Sequence, residues 1–208
     1  MRKARLTGSA LPAALGAIGA MAVSPWVAAQ QDLPSCVWCG AQDAPEELTW
    51  HVQIADDDEP GERIVLRGVV YETDGVTPAS GVLLYAYHTD ITGVYRMDGD
   101  ETGNGRRHGA LRGWLRTDED GRYEIRTIRP ASYPGRTESA HVHVSLMPLG
   151  GEEHWIDSFL FEGDPLISER ERRASERAGR FGGIVELEPD EMGVLVGRRD
   201  LRLRQDGR

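Results

Sequence analysis

Turn signals recur about every ten residues along most of this chain, and that spacing restricts the fold more than any other feature of the sequence. The segments between the turns are short and rich in β-branched, apolar and aromatic residues, as residues 62–71 and 82–88 illustrate. Short strands separated by frequent turns are typical of sandwiches and barrels. The sequence therefore predicts an all-β fold, a β-sandwich of antiparallel or mixed sheets with long loops.

Further strands and one short helix complete the predicted element order. Residues 114–117 and 122–128 flank an acidic turn that ends in glycine, and we predict that they form a hairpin. The helix is predicted over residues 168–180, with Ser168 as N-cap, Glu171 three residues later and almost no apolar face. The remaining predicted strands are residues 140–147, 155–162, 183–188 and 194–203.

Length and charge limit the number of domains and the class of partner. A chain of 208 residues suits one ordinary domain with a short appendage. It carries 24 basic and 34 acidic residues, a formal net charge of −10. A chain this acidic is poorly suited to a nucleic-acid backbone, so we expect no nucleic-acid partner.

Residues 1–29 have the organisation of a secretory signal peptide. Three basic residues within the first five positions precede an uncharged stretch rich in alanine, residues 10–29, which ends in small residues. We predict cleavage near Ala29 and a secreted or periplasmic protein without a stable membrane span. A transmembrane anchor, or lipidation at the Leu-Pro-Ser-Cys sequence that ends at Cys36, remains an alternative.

Two cysteines lie in the segment after the predicted signal. We interpret residues 30–61 as an N-terminal extension that carries the C-x-x-C pair Cys36 and Cys39. Export to an oxidising compartment favours a small local disulfide. A thioredoxin-type site would need a strand before the pair and a helix after it, and a zinc site would need a second pair of ligands nearby. We therefore predict a structural disulfide.

Four side chains form a candidate Fe(III) site. His141 and His143 alternate on a predicted strand, so both imidazoles project from one face and can bind a metal ion. Half-buried strand histidines bonded to neighbours would give the same pattern. The metal is favoured by Tyr133, which follows Ser132 at a proline turn, and by Tyr95 in a loop after a strand, since phenolate oxygen suits ferric iron.

Other metal schemes fit this sequence less well. A cupin would place a glutamate shortly after the H-x-H pattern, where this chain has Met147 and Pro148. A two-His-one-carboxylate Fe(II) site would need Asp157 or Glu162, and no motif supports either. We interpret the remaining histidines as surface or hydrogen-bonding residues: His51, His88, His108 and His154.

From about residue 63 to residue 164 the chain resembles the intradiol ring-cleavage dioxygenases, the family of protocatechuate 3,4-dioxygenase and catechol 1,2-dioxygenase. The resemblance rests on an ordered set of segments that includes all four candidate ligands. Those segments are residues 67–70, 93–96, 117–123, 126–130, 133–134, 140–143 and 161–164. Residues 62–208 are therefore expected to form an intradiol dioxygenase-like sandwich domain, similar to the stand-alone secreted members of the family.

The resemblance implies a site and a reaction. It makes Tyr95 and His141 equatorial ligands of a non-haem Fe(III), and Tyr133 and His143 axial ligands. The substrates would be a small catechol-type aromatic and O2, and the product a muconate-type diacid. Tyr133 would be catalytic as well, because the family's axial tyrosine leaves the metal and takes up a catechol proton. The sequence leaves the oligomeric state open, a homodimer included.

Two positions depart from the family pattern. Glu138 stands where the family has an arginine that stabilises charge on the activated ring, and Arg136 is the candidate catalytic substitute two residues earlier. Ser158 stands where a glutamine is expected. An acid near the site disfavours anionic catechols, so the sequence favours a neutral or larger phenolic substrate.

Two alternatives to catalysis follow from the same sequence. Segments 68–70, 81–84 and 117–123 also resemble transthyretin-like and carboxypeptidase-regulatory-like sandwich modules, which are not enzymes. Such a module has no use for two tyrosines together with an H-x-H pattern. The other alternative retains iron or phenol binding but lacks dioxygenation.

Overall fold

The computed structural model describes residue 36 and residues 39–135 and 137–204, and two six-stranded sheets account for most of their regular structure. The ten-residue helix α2 spans Glu169–Ala178, and a single helical turn, α1, spans Gly105–His108. The strands are β1 (His51–Gln53), β2 (Arg63–Tyr71), β3 (Leu83–His88), β4 (Arg112–Arg116), β5 (Arg122–Ile128), β6 (His141–Met147), β7 (His154–Trp155), β8 (Phe159–Phe161), β9 (Ile184–Val185), β10 (Leu187–Pro189), β11 (Leu195–Arg198) and β12 (Leu201–Arg202).

Both sheets are mixed, which confirms the predicted all-β sandwich. The first has the order β1-β5-β2-β11-β10, with β12 also paired to β2, and the second has the order β4-β3-β6-β8-β9, with β7 paired to β6. Within the first sheet β2 pairs antiparallel with β5 but parallel with β11. Residues of both sheets, such as Leu66 and Phe159, form one buried apolar cluster and are completely inaccessible to solvent.

The alternation of side chains on β6 divides its residues between two environments. Val142, Val144 and Leu146 belong to the buried apolar cluster between the sheets. Residues of a strand alternate between faces, so His141 and His143 project from the opposite face. The sandwich core thus fixes the register that places both imidazoles together.

The predicted hairpin over residues 114–128 is wrong. Strand β4 pairs with β3 in one sheet, and β5 pairs with β2 in the other, so the turn between them carries the chain across the sandwich. The turn itself is as predicted: Asp118 accepts hydrogen bonds from the backbone N–H groups of Asp120 and Arg122, and Gly121 has φ +72°. Local turn chemistry therefore marked the reversal but did not determine the strand partners.

Two predicted strands are interrupted near Arg199. Residues 155–162 form β7 and β8, and the guanidinium of Arg199 donates hydrogen bonds to the carbonyls of Asp157 and Ser158 in the break. Residues 194–203 form β11 and β12, with Arg199 itself in the gap. The predicted helix is confirmed, including the capping box between Ser168 and Glu171.

The N-terminal segment packs against the second sheet. Cys36 and Cys39 form a disulfide, as predicted. The amide of the completely buried Asn104 donates to the carbonyls of both cysteines, and Glu153 accepts from the backbone of Gly40. Strand β1 pairs in parallel with β5 of the first sheet.

Within the described part of the chain, no helix is long and apolar enough to cross a membrane. The predicted signal peptide lies outside the described residues.

Candidate functional site

Four polar atoms from three parts of the chain converge beside β6. The Nε2 atoms of His141 and His143 lie 2.9 Å apart, and the hydroxyls of Tyr95 and Tyr133 lie 2.6 Å apart. The Tyr133 hydroxyl is 3.3 Å and 3.4 Å from the two Nε2 atoms, and the Tyr95 hydroxyl is 3.1 Å from Nε2 of His143. The structure therefore brings together all four residues that the sequence selected as candidate ligands.

Loop geometry places the two tyrosines against each other. In the loop after β3, the Asp90 carboxylate accepts hydrogen bonds from the backbone N–H groups of Thr92 and Val94. Gly93 has φ +80°, and a Cβ there would lie 2.0 Å from the carbonyl oxygen of Ser132. Only glycine allows this contact, and it holds Tyr95 and Tyr133 on two adjoining backbone segments.

A second layer of contacts orients the two imidazoles. Nδ1 of His141 lies 2.7 Å from the carbonyl oxygen of Ser139. Because a carbonyl can only accept a hydrogen bond, Nδ1 carries the proton, and Nε2 of His141 is unprotonated with its lone pair directed toward the cluster. The Asp164 carboxylate accepts from the backbone N–H of Ala140, just before β6. Ser158 Oγ lies 3.4 Å from Nδ1 of His143, so this serine lies beside a candidate ligand.

An aromatic stack supports His143 from β3. The ring of Tyr87 lies nearly parallel to that of His143, with centroids 4.6 Å apart, and nearly parallel to that of His108, with centroids 3.8 Å apart. The indole of Trp155 packs edge-on against His143 at 4.9 Å. Sequence reasoning identified none of these supporting roles, and the pairing of Tyr87 with His143 across β3 and β6 is the signal that could have revealed one.

Burial favours the neutral forms of His143 and of the two tyrosines. Desolvation lowers the pKa of His143 to about 3, with further lowering by the neighbouring histidines His141, His108 and His88. Desolvation also raises the pKa values of Tyr95 and Tyr133, and the charge of Glu138 contributes to both increases. The His143 imidazole is therefore neutral at neutral pH, while the phenols need a nearby cation to lose their protons.

The donor set fits a ferric ion. Two phenol oxygens and two imidazole nitrogens meet at one point, and phenolate oxygen is a ligand that ferric iron accepts, as tyrosine-ligated haem shows. Among the described residues no cluster of three or more His, Cys, Asp or Glu side chains offers an alternative metal site.

A cavity of about 510 Å³ opens onto the two histidines. Its wall is formed by the segment before β6, by the break between β7 and β8, and by one side of α2. Glu138 and Ser158, which the sequence analysis expects to depart from the family pattern, both line it. Arg136, the candidate catalytic arginine, lies outside the described residues. The cavity is large enough for a substituted aromatic ring.

His88 gives a pH prediction for the metal-free protein. Its Nδ1 donates to the carbonyl of Thr89, its Nε2 lies 2.6 Å from the hydroxyl of Thr127, and burial lowers its pKa from 6.5 to about 4. A depressed histidine pKa means that the unfolded state binds more protons between these two values. We expect stability to fall as the pH drops from about 6.5 to 4, with His88 contributing about 3 kcal/mol of the loss.

Denaturant unfolding across that range measures this contribution. His88→Gln should have a shallower acid slope than the wild type, by about 1.4 kcal/mol per pH unit. The matched control is His51→Gln at an exposed position of β1, which should retain the wild-type slope. Equal slopes in all three proteins would contradict a neutral, buried His88. His143 titrates in every one of them, and because His88 helps to lower the pKa of His143, its removal flattens the acid slope further.

A family model described as Dioxygenase matches residues 40–180, most of the described chain. The fold and the match together show that this chain belongs to the intradiol dioxygenase family. It is 31% identical over 132 residues to catechol 1,2-dioxygenase 1 of Acinetobacter lwoffii, covering 56% of this chain and 41% of that protein. It is 32% identical over 122 residues to the protocatechuate 3,4-dioxygenase beta chain of Burkholderia cepacia, covering 52% of this chain and 48% of that one. The chain thus spans less than half the length of either relative.

Solved structures share the fold at lower identity. One is the dioxygenase domain of a dioxygenase carbohydrate-binding protein fusion from the cellulolytic bacterium Streptomyces sp. SirexAA-E, with a TM-score of 0.56 and 23% identity. The match covers 76% of this chain and 90% of that domain. At this identity the likeness establishes the architecture alone.

Proposed function

We propose that this protein is a non-haem Fe(III) intradiol dioxygenase that opens a catechol-type ring with O2 to give a muconate-type diacid. The observation that carries the proposal is the convergence of Tyr95, Tyr133, His141 and His143 beside a cavity of about 510 Å³. Family membership supports an oxygenase activity in general. A metal-free sandwich module is not favoured, because packing alone does not require these four side chains to meet.

The four residues have distinct tasks in this proposal. They would hold the ferric ion, which when bound supplies Lewis acidity that withdraws electron density from a catechol. The lone pair at Nε2 of His141 is available to a metal because its Nδ1 donates to the carbonyl of Ser139, and Nε2 of His143 lies 2.9 Å from it.

Tyr133 is the proposed base. Its hydroxyl is part-buried and contacts Tyr95 and both histidines, so it lies at the centre of the cluster. Near a bound cation the phenol loses its proton, and the resulting phenolate can take up a proton from a catechol hydroxyl. The restraint of its neighbour Ser132 against Gly93 keeps this base close to the metal ligands.

An exported location is part of the proposal. It is supported by the signal-like sequence of residues 1–29 and by the disulfide between Cys36 and Cys39, because disulfides persist in oxidising compartments. A periplasmic or extracellular enzyme would meet catechols released from plant or lignin-derived material.

Oxygen uptake by the iron-loaded protein tests the proposal. The assay should use catechol, hydroxyquinol, protocatechuate and larger lignin-derived catechols, with identification of the products. We expect one O2 consumed per ring-opened diacid for at least one neutral catechol. Stoichiometric iron binding without product from any catechol would contradict catalysis and favour the binding alternative.

A further inference from the structure

Glu138 places a carboxylate in the wall of the cavity beside the candidate metal ligands. It lines the cavity together with His141 and His143, and it lies three residues before the first of them. Glu138 is exposed and forms part of the cavity wall, so its charge lies beside the volume that a substrate would fill. Its charge also reaches the phenols, because it contributes to the raised pKa of both Tyr95 and Tyr133.

The other charges of the cavity wall leave it acidic. Asp157, in the break between β7 and β8, and Glu171, in the first turn of α2, add two carboxylates, and Arg170 adds one guanidinium. Glu171 accepts from the backbone N–H and hydroxyl of Ser168, so it offsets the partial positive charge of the helix start that faces the same cavity. Among the described residues that line the cavity, acidic side chains therefore outnumber basic ones.

We propose that this cavity selects catechols whose ring substituent is positively charged, such as an aminoalkyl catechol, over catechol carboxylates, and that Glu138 is the residue that makes the selection. The inference rests on the proposed function, whose substrate class it narrows. A carboxylate substituent would be repelled by Glu138 and Asp157, whereas an ammonium group would be attracted. Uncharged catechols would bind with intermediate affinity.

Three catechols of nearly equal size distinguish the effect of substituent charge on binding from the effect of substituent shape. They are 4-(2-aminoethyl)catechol, 4-ethylcatechol and 3,4-dihydroxyphenylacetate, compared at pH 7 and low salt. Dissociation constants come from optical titration of the iron-loaded protein without O2, and kcat/KM from ring opening. We expect the ammonium compound to bind about fivefold to tenfold more tightly than the ethyl compound, and the carboxylate to bind more weakly than both.

Variants that remove one negative charge test whether Glu138 causes the preference for the ammonium compound. Glu138→Gln should reduce the preference for the ammonium compound by about fivefold, and added salt should weaken it in the wild type. Glu188→Gln, at an exposed position of β10 in the other sheet, makes the same charge change away from the cavity and should leave the preference unchanged.

The outcomes distinguish this inference from the proposed function. Cleavage of 4-ethylcatechol with equal or better binding of the carboxylate would overturn the charge selection and leave the dioxygenase intact. An unchanged preference in Glu138→Gln would overturn the role of that residue. If none of the three compounds binds or is opened, the proposed function fails, and the inference fails with it.

Discussion

Replacing Tyr95 with phenylalanine is expected to weaken iron binding by at least about 100-fold, since even outer-shell changes at metal sites cost 10–100-fold. It should also weaken the visible absorption of the ferric protein, because only the Tyr133 phenol remains as an oxygen donor. The substitution removes only the hydroxyl that lies 2.6 Å from Tyr133 and 3.1 Å from Nε2 of His143. The ring contacts with Tyr87 and Tyr133 remain, so the sandwich should stay folded. Visible spectroscopy after ferric reconstitution and metal analysis measure both effects.

Two further variants make this result specific. His141→Ala should behave in the same way, because it removes a nitrogen donor from the same cluster. Tyr71→Phe, on β2 of the other sheet, also removes a phenol hydroxyl and should retain both colour and iron. A Tyr95→Phe protein with the iron affinity and the visible spectrum of the wild type would mean that the ligands are assigned wrongly.

Replacing Arg199 with methionine is expected to lower the free energy of unfolding by about 3–5 kcal/mol, because carbonyls would be left without partners at about 1–3 kcal/mol each. The guanidinium is buried and donates to the carbonyls of Phe181, Asp157 and Ser158, and it packs over the ring of Phe159. Methionine retains much of the aliphatic contact but none of the hydrogen bonds. Equilibrium unfolding in denaturant measures the change.

The neighbouring arginine provides the control. Arg198 lies on β11 with an exposed side chain, so Arg198→Met should change the stability by less than about 0.5 kcal/mol. Equal losses in the two variants would contradict a structural role for the buried guanidinium. Because Arg199 holds the break that contains Ser158, a lining residue of the cavity, its loss should also weaken catechol binding.

The sequence predicted the parts of this fold that local pattern determines. Alternation on β6 placed His141 and His143 on one face, and the Ser168 and Glu171 pair marked the start of α2. The partners of β4 and β5 could not be predicted in the same way, because the intervening turn is compatible with a hairpin and with a crossing between sheets. Strand pairing depends on tertiary contacts, and the residues of the turn do not determine it.

In the candidate site, too, local sequence predicted some features, and tertiary contacts determined the others. Motif resemblance identified the four donors, but the stack of His108, Tyr87 and His143 depends on β3 and the loop that carries α1 meeting beside β6. His108 was interpreted only as a surface or hydrogen-bonding residue, and it does contact the Tyr85 hydroxyl at 2.7 Å. Its position in the stack behind a candidate ligand could not be inferred from spacing along the chain.

Ring opening under ¹⁸O2 tests the central claim most directly. An intradiol dioxygenase adds both atoms of O2 to the catechol, so the account predicts a muconate-type diacid that is four mass units heavier than the product formed in ordinary O2. The product must depend on bound iron and on Tyr95 and His141. An unlabelled quinone, or a diacid carrying no label, would contradict the assignment of this site as a ring-cleaving dioxygenase.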